Sequence, residues 1–173
     1  MPSNEFLEER IATRIAKATD ILHKCSNLIP QIVTAGQQLT DCILNDGKIL
    51  VLGNGSTAFI GQIFTAHLMY RFERDRPGLP AISLNADATM ISSFSDESHS
   101  EQYSRQIKAL GKTGDCLLVI STTGTYASLM QAVSAAHELG LPVIALTGSG
   151  GGEISALFCF NGNWHALCRC KFV

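Results

Sequence analysis

Charge is scarce in this sequence. Thirteen Lys and Arg stand against fifteen Asp and Glu, a formal net charge of −2, and charged residues make up 16% of the chain. That balance drives no unspecific attraction to nucleic acid or to an anionic membrane, so neither is expected as a direct partner. No apolar run reaches the roughly 20 residues that span a bilayer. The stretch from Met1 to Arg10 is acidic and polar, unlike a signal peptide, which gives a cytoplasmic expectation. The loops of common nucleotide enzymes are also missing. There is no Gly-x-x-x-x-Gly-Lys-Ser/Thr sequence, and Gly53-x-Gly55 lacks both a third glycine at the dinucleotide spacing and an acidic residue closing the second strand. Internal repeats and low-complexity segments are absent. The six cysteines give no disulfide framework: Cys25 and Cys42 fall in helical patterns and Cys116 opens an apolar strand, as small buried hydrophobes do.

What is present suffices for one core. Hydrophobic residues are 46% of 173, an ordinary globular balance. From Glu5 to about Asn45 apolar residues recur at three- and four-residue steps (Phe6, Ile11, Ile15, Ala18, Ile21, Leu22, then Ile32, Leu39, Ile43), which is helical periodicity. Pro30 separates two helices and Asp46-Gly47 ends the second. Their apolar stripe has two equal destinations, a partner subunit or this chain's own domain. After Gly47 the pattern becomes strand, turn and helix in repetition. Short apolar runs occur at Lys48 to Leu52, Pro80 to Leu84, Cys116 to Ile120 and Pro142 to Leu146. Helical stretches follow at about Ser56 to Glu73, Ala88 to Phe94, Ser100 to Leu110 and Tyr126 to Leu139. Five-residue runs that are apolar on both faces and alternate with helices predict an α/β fold, a parallel sheet doubly wound by helices. The organisation expected is a helical oligomerisation segment over 1–46, one α/β domain over 47–157 and an atypical tail over 158–173.

Three strand ends carry the same chemistry: Gly53 to Thr57, Ser121 to Thr125, and Thr147 to Gly150. In open α/β sheets ligands bind outside the carboxyl ends of the strands. Glycines there allow close backbone approach, and each following helix presents free N–H groups and the positive end of its dipole. Ser and Thr hydroxyls add donors without charge. One such loop means little, because Ser and Thr are also preferred helix caps. Two of them meeting at one rim of the sheet predict a site for a phosphate or a polyol phosphate.

These residues also carry a resemblance. Gly53 to Thr57, Arg71 to Ile82, Gly114 to Gly124 and Val143 to Gly148 resemble the sugar isomerase (SIS) family, a flavodoxin-like fold, in the branch that holds bacterial phosphoheptose isomerases and DiaA, the DnaA initiator-associating protein. The resemblance runs from about Leu39 to Leu157. It implies a five-stranded parallel sheet, an N-terminal helical segment and a homotetramer. Phosphoheptose isomerases carry a His and, four residues on, a Glu on the helix after the first glycine loop, for metal binding and acid–base work. Aligned on Gly53-Asn54-Gly55, this chain has Ile63 and His67 there. A lone His on an apolar helix face is more often structural than catalytic. The isomerases also use a Gln and a His on a C-terminal helix, and no such helix is read here. Arg71 to Asn85 and Tyr103 to Gly111 are more similar to DiaA. The resemblance therefore implies a non-catalytic regulator that binds DnaA and promotes timely initiation of chromosomal replication, reaching DNA only through that partner. The alternative is a phosphoheptose isomerase acting on sedoheptulose 7-phosphate. Carried over position by position, the phosphosugar pocket would comprise Asn54, Ser56, Thr57, Asp96, Ser121, Thr122 and Thr123, with no catalytic residue, cofactor or metal. Tyr126 stands where the isomerases have another serine.

From Phe158 the resemblance stops. The stretch Cys159 to Val173 has no apolar periodicity of useful length, so the last strand and helix are expected to be missing, as after a truncation or a change of reading frame. His165, Cys168 and Cys170 match no common zinc spacing.

Overall fold

The computed structural model describes residues 3–94, 99–148, 150–158 and 165–170, the last stretch and Phe158 by backbone alone. The chain opens with α1 (Asn4–Cys25), whose start is capped by Ser3 accepting a hydrogen bond from the Phe6 amide at 3.3 Å. A 3-10 turn, Ser26–Leu28, leads into α2 (Ile29–Leu44). Pro30 lies in the first turn of α2, where its missing N–H costs nothing. Then come β1 (Ile49–Gly53), α3 (Ser56–Met69), β2 (Ala81–Ser83), α4 (Ala88–Ser92), a 3-10 turn at His99–Glu101, α5 (Gln102–Leu110), β3 (Cys116–Ser121), α6 (Ala127–Glu138), β4 (Val143–Gly148), α7 (Gly152–Phe158) and β5 (His165–Cys170).

All strand pairs are parallel, in the order β2-β1-β3-β4-β5. Every residue of β1 and β3 is buried, which is why both read as unbroken apolar runs rather than alternating ones. Alternate residues face opposite layers. Leu50, Leu52, Leu117, Val119, Val143 and Ala145 pack with Tyr103 and Ile107 of α5, Leu129 and Val133 of α6 and Ile154 of α7. Ile49, Val51, Cys116, Leu118, Ile120 and Ile144 pack with Ala35 and Cys42 of α2, and Phe64 and Leu68 of α3 lie against them. Each fully buried Leu or Ile of these layers contributes about 1.5–3 kcal/mol.

The two N-terminal helices differ in how much they bury. In α2, Ala35 and Cys42 are buried against the sheet with Leu39 and Ile43 packed on them, while Ile32 stays exposed. By contrast α1 buries no residue, leaving Phe6, Ile11, Ile15 and Leu22 exposed. No helix among the described residues is long and apolar enough to cross a membrane.

Three details differ from the expectation. The helix read as far as Glu73 stops at Met69, because the Arg76 guanidinium donates to the His67 and Leu68 carbonyls, each at 2.8 Å, and ends the helix there. A helix, α7, follows the Gly150–Gly152 turn, where only loop was read. The last strand, expected to be missing, is present: β5 pairs with β4 in the register Ile144↔His165, Ala145↔Ala166 and Leu146↔Leu167. An edge strand needs a backbone ladder on one side only, so it can form without the apolar pattern that marks a central strand.

Candidate functional site

The strand order places the site. From β1 the sheet grows one way to β2 and the other way to β3, so the order reverses between β1 and β3. Crevices that bind ligands open at such a point, beyond the carboxyl ends of the strands. Because β1 and β3 are parallel neighbours, with Gly53 opposite Ile120, the Gly53–Thr57 and Ser121–Thr125 loops leave the sheet on the same rim. Thr147 pairs with Ser121, so the β4 end lies beside them.

The first loop is held by side chains converging from three other elements. Asn85, just past β2, accepts from the Gly53 amide at 3.1 Å and donates to the Gly53 carbonyl at 3.0 Å. It also donates to the Tyr103 hydroxyl at 2.7 Å. That hydroxyl lies 2.8 Å from both the Gly53 carbonyl and Asn54 Oδ1, and its single proton serves one of them at a time. Asn54 Nδ2 donates to Ser128 Oγ, in the first turn of α6, at 3.0 Å. Burial pushes the Tyr103 phenol above its ordinary value, partly offset by the bond from Asn85, so it stays a neutral donor at working pH. Gly55 has φ +57°, the left-handed region that glycine tolerates, where the chain turns into α3.

The candidate residues of the loops separate into two groups. Thr57 and Ser121 are buried and turned inward: Thr57 Oγ1 donates to the Asn54 carbonyl at 2.8 Å and accepts from the Asn54 amide at 2.9 Å, and Ser121 Oγ accepts from the Gly124 amide at 2.9 Å. Ser56, Thr122 and Thr123 are exposed on the rim, and Thr123 Oγ1 lies 3.0 Å from Thr125 Oγ1. Asn54 is half-buried and reaches the cleft. Asp96 lies outside the described residues, as does Ser149 of the fourth-strand loop.

A cleft of about 660 Å³ opens beside the first loop. Its walls are Asn54 and Gly55, the start of α6 (Tyr126 to Ser128), Asn85, Ile91, and the turn and first residues of α5 (His99, Ser100, Gln102, Tyr103). The beginnings of two helices, α3 and α6, thus face one space, and neither start is capped by a side-chain hydrogen bond. Their N–H groups and dipoles favour an anion there. Among the described residues, no Asp, Glu, Lys or Arg lines the cleft. Gln102 is 2% exposed, and its Oε1 has no hydrogen-bond partner among the described residues, an acceptor whose desolvation is uncompensated. Sequence reasoning missed Asn85, His99, Gln102, Tyr103 and Ser128; the one available signal was the position of Ser128 in the first turn of a helix that follows a glycine-rich strand end.

His67 is not in the cleft. It is exposed on α3, with its ring against Phe72 at 5.0 Å between centroids, and Ile63 is exposed on the same helix. Among the described residues no three His, Cys, Asp or Glu side chains gather as metal ligands. The described residues therefore do not fit the metal site that the resemblance implies for phosphoheptose isomerases.

The chain matches the SIS domain model over residues 13–148, and it belongs to the SIS domain family. Several of its similar relatives are named phosphoheptose isomerase. It is 40% identical over 152 residues to a phosphoheptose isomerase of Chromohalobacter salexigens, covering 87% of this chain and 77% of that protein. It is 43% identical over 151 residues to a phosphoheptose isomerase of Coxiella burnetii, covering 87% and 72%. The solved structure of a phosphoheptose isomerase from Francisella tularensis superposes with a TM-score of 0.88 at 36% identity, covering 94% of this chain and 84% of that one. These findings overturn the expectation of a non-catalytic regulator that binds DnaA, and with it the lean away from an enzyme. That expectation took the loss of one His and one Glu from α3 as the loss of chemistry, and it weighed two motifs above the whole chain.

Proposed function

We propose that this chain is a sugar-phosphate isomerase of the phosphoheptose isomerase kind, interconverting ketose and aldose forms of sedoheptulose 7-phosphate. The observation that carries the reading is the cleft at the β1/β3 switch point, faced by two uncapped helix starts and free of charge among its described lining residues. The relatives named phosphoheptose isomerase supply the substrate class. In this reading the phosphate sits against Gly55, Ser56, Ala127 and Ser128, where backbone donors neutralise it without a cation. Asn54 adds a donor at the rim, and Thr122 and Thr123 stand exposed on the neighbouring loop. Thr57 and Ser121 serve by holding the two loops in shape. Self-association, up to the homotetramer of the resemblance, belongs to the same proposal: the apolar residues exposed on α1 (Phe6, Ile11, Ile15) and on α3 (Phe59, Ile60, Ile63) are surface that a second copy would cover.

The test is direct. Purified chain incubated with sedoheptulose 7-phosphate should yield an aldoheptose phosphate, followed by NMR. A preparation that is folded by circular dichroism and shows neither turnover nor binding of that substrate refutes the reading.

A further inference from the structure

We propose that His99 is the proton-transfer group of this cleft, taking over work that has no competent residue on α3. The inference rests on the isomerase reading above. A ketose–aldose interconversion moves a proton between adjacent carbons, and the group that carries it must exchange protons near neutral pH. Of the described residues lining the cleft, His99 alone is of that kind. The described lining holds no carboxylate and no amine. The two phenols there ionise near 10 in ordinary surroundings, and the Tyr103 hydroxyl is already committed to Asn85 and the first loop. His67, the alternative histidine, stacks on Phe72 away from the cleft.

His99 is also held in place. Its turn, His99–Glu101, leads directly into α5, and Gln131 of α6 donates to Ser100 Oγ at 3.2 Å, tying the turn to the helix whose start faces the anion. The cleft is therefore asymmetric. Helix starts, Asn54 and Ser128 lie at one end and an imidazole lies on the wall formed by the turn, with the buried acceptor of Gln102 beside it for a sugar hydroxyl.

The step balances without a co-reactant. With the open-chain ketose in place, a neutral imidazole nitrogen of His99 takes a proton from C1. The C1–H electron pair becomes the C1=C2 bond of an enediol, the C2=O π pair moves to O2, and O2 takes a proton from water. In the second half the imidazolium returns its proton to C2. O1 gives its proton to water, and the C1=C2 pair ends as the new C2–H bond while C1=O1 forms.

The experiment uses the full chain with sedoheptulose 7-phosphate in D2O, comparing wild type, His99→Gln, His99→Asn and His67→Gln. The expected result is deuterium at the isomerising carbons with wild type and His67→Gln. Both His99 variants should lose at least about a hundredfold in kcat, the scale of general-base catalysis, with KM within about threefold. His99 is exposed, and unchanged melting temperatures in both variants show that folding is not the cause of the loss. Turnover within threefold of wild type in either His99 variant overturns this inference and leaves the isomerase reading standing. A loss expressed mainly in KM makes His99 a binding residue and overturns it as well. Absence of turnover in wild type removes both.

Discussion

The two hydroxyl-rich loops on the rim look alike in sequence and are secured by different physics. The first, Gly53 to Thr57, is held by long-range side-chain hydrogen bonds from Asn85, Tyr103 and Ser128. The second, Ser121 to Thr125, is held by backbone packed on backbone. A Cβ on Gly124 would come within 2.1 Å of the Gly151 carbonyl oxygen, and one on Gly152 within 2.2 Å of the Thr123 carbonyl oxygen. The Ile154 amide donates to the Gly124 carbonyl at 2.9 Å. A polar network fixes side-chain directions, which suits a loop that has to aim Asn54 into a cleft. Glycine contacts fix only the path of the chain, which leaves Thr122 and Thr123 pointing out to solvent.

This contrast is broken most severely at Gly124. Its φ is +70°, and the obstacle in front of it is backbone, which cannot rotate away as a side chain does. Gly124→Ala should therefore cost about 3 kcal/mol or more, combining left-handed strain with overpacking. For a chain of this length that lowers the melting temperature by roughly 6–12 °C. A thermal melt within 2 °C of wild type would show that the loop is not secured by these glycines.

A middle-sized effect belongs to the first loop. Asn85→Ala removes the partner of the Gly53 amide and one partner each of the Gly53 carbonyl and the Tyr103 hydroxyl. Water can replace some of these, because Asn85 is only half-buried, so the expected loss is about 2 kcal/mol by urea unfolding. The signature that separates it from Gly124→Ala is functional. Per kcal/mol of stability lost, Asn85→Ala should weaken sugar-phosphate binding more, since Asn54 loses its buttress while Gly124 is not among the residues that line the cleft.

How much of this was legible in the sequence follows from the range of the interactions. Runs such as Lys48 to Leu52 and Cys116 to Ile120 are local patterns, and the parallel sheet, its switch point and the shared rim follow from them. The hydroxyls of the loops were legible as chemistry but not as geometry: nothing in the order of residues says that Thr57 and Ser121 turn inward while Ser56 and Thr122 turn outward. Asn85 and Tyr103 lie at the ends of the Arg71–Asn85 and Tyr103–Gly111 stretches that carried the resemblance, but nothing marked them as supports of the first loop, and Ser128 carries no motif. Tyr103 sits in a helix 49 residues from Asn54 and meets it only because β1 and α5 pack together, a tertiary fact. His99 was invisible for the same reason. The strand β5 was missed because an edge strand is specified by the open ladder of its neighbour, and α7 because its start lies in a run of glycines that reads as loop.

The smallest effect on stability, and the sharpest question about the two loops, lies at Thr123. Its side chain is exposed and lies 3.0 Å from another exposed hydroxyl, Thr125 Oγ1. Thr123→Val should leave stability within about 0.5 kcal/mol of wild type, as surface substitutions do. Its value is in ligand affinity. If the phosphate is shared between the two loops, losing one neutral donor removes about 0.5–1.5 kcal/mol, a two- to tenfold rise in Kd for sedoheptulose 7-phosphate by titration calorimetry. If the phosphate is held by the first loop and the start of α6 alone, as the lining of the cleft favours, Kd stays put, whereas Ser128→Ala raises it by a similar factor. Running the two variants side by side assigns the anion to one loop or to both. The hydroxyls of the second loop then count as ligand contacts only if Thr123→Val weakens binding without shifting the melt.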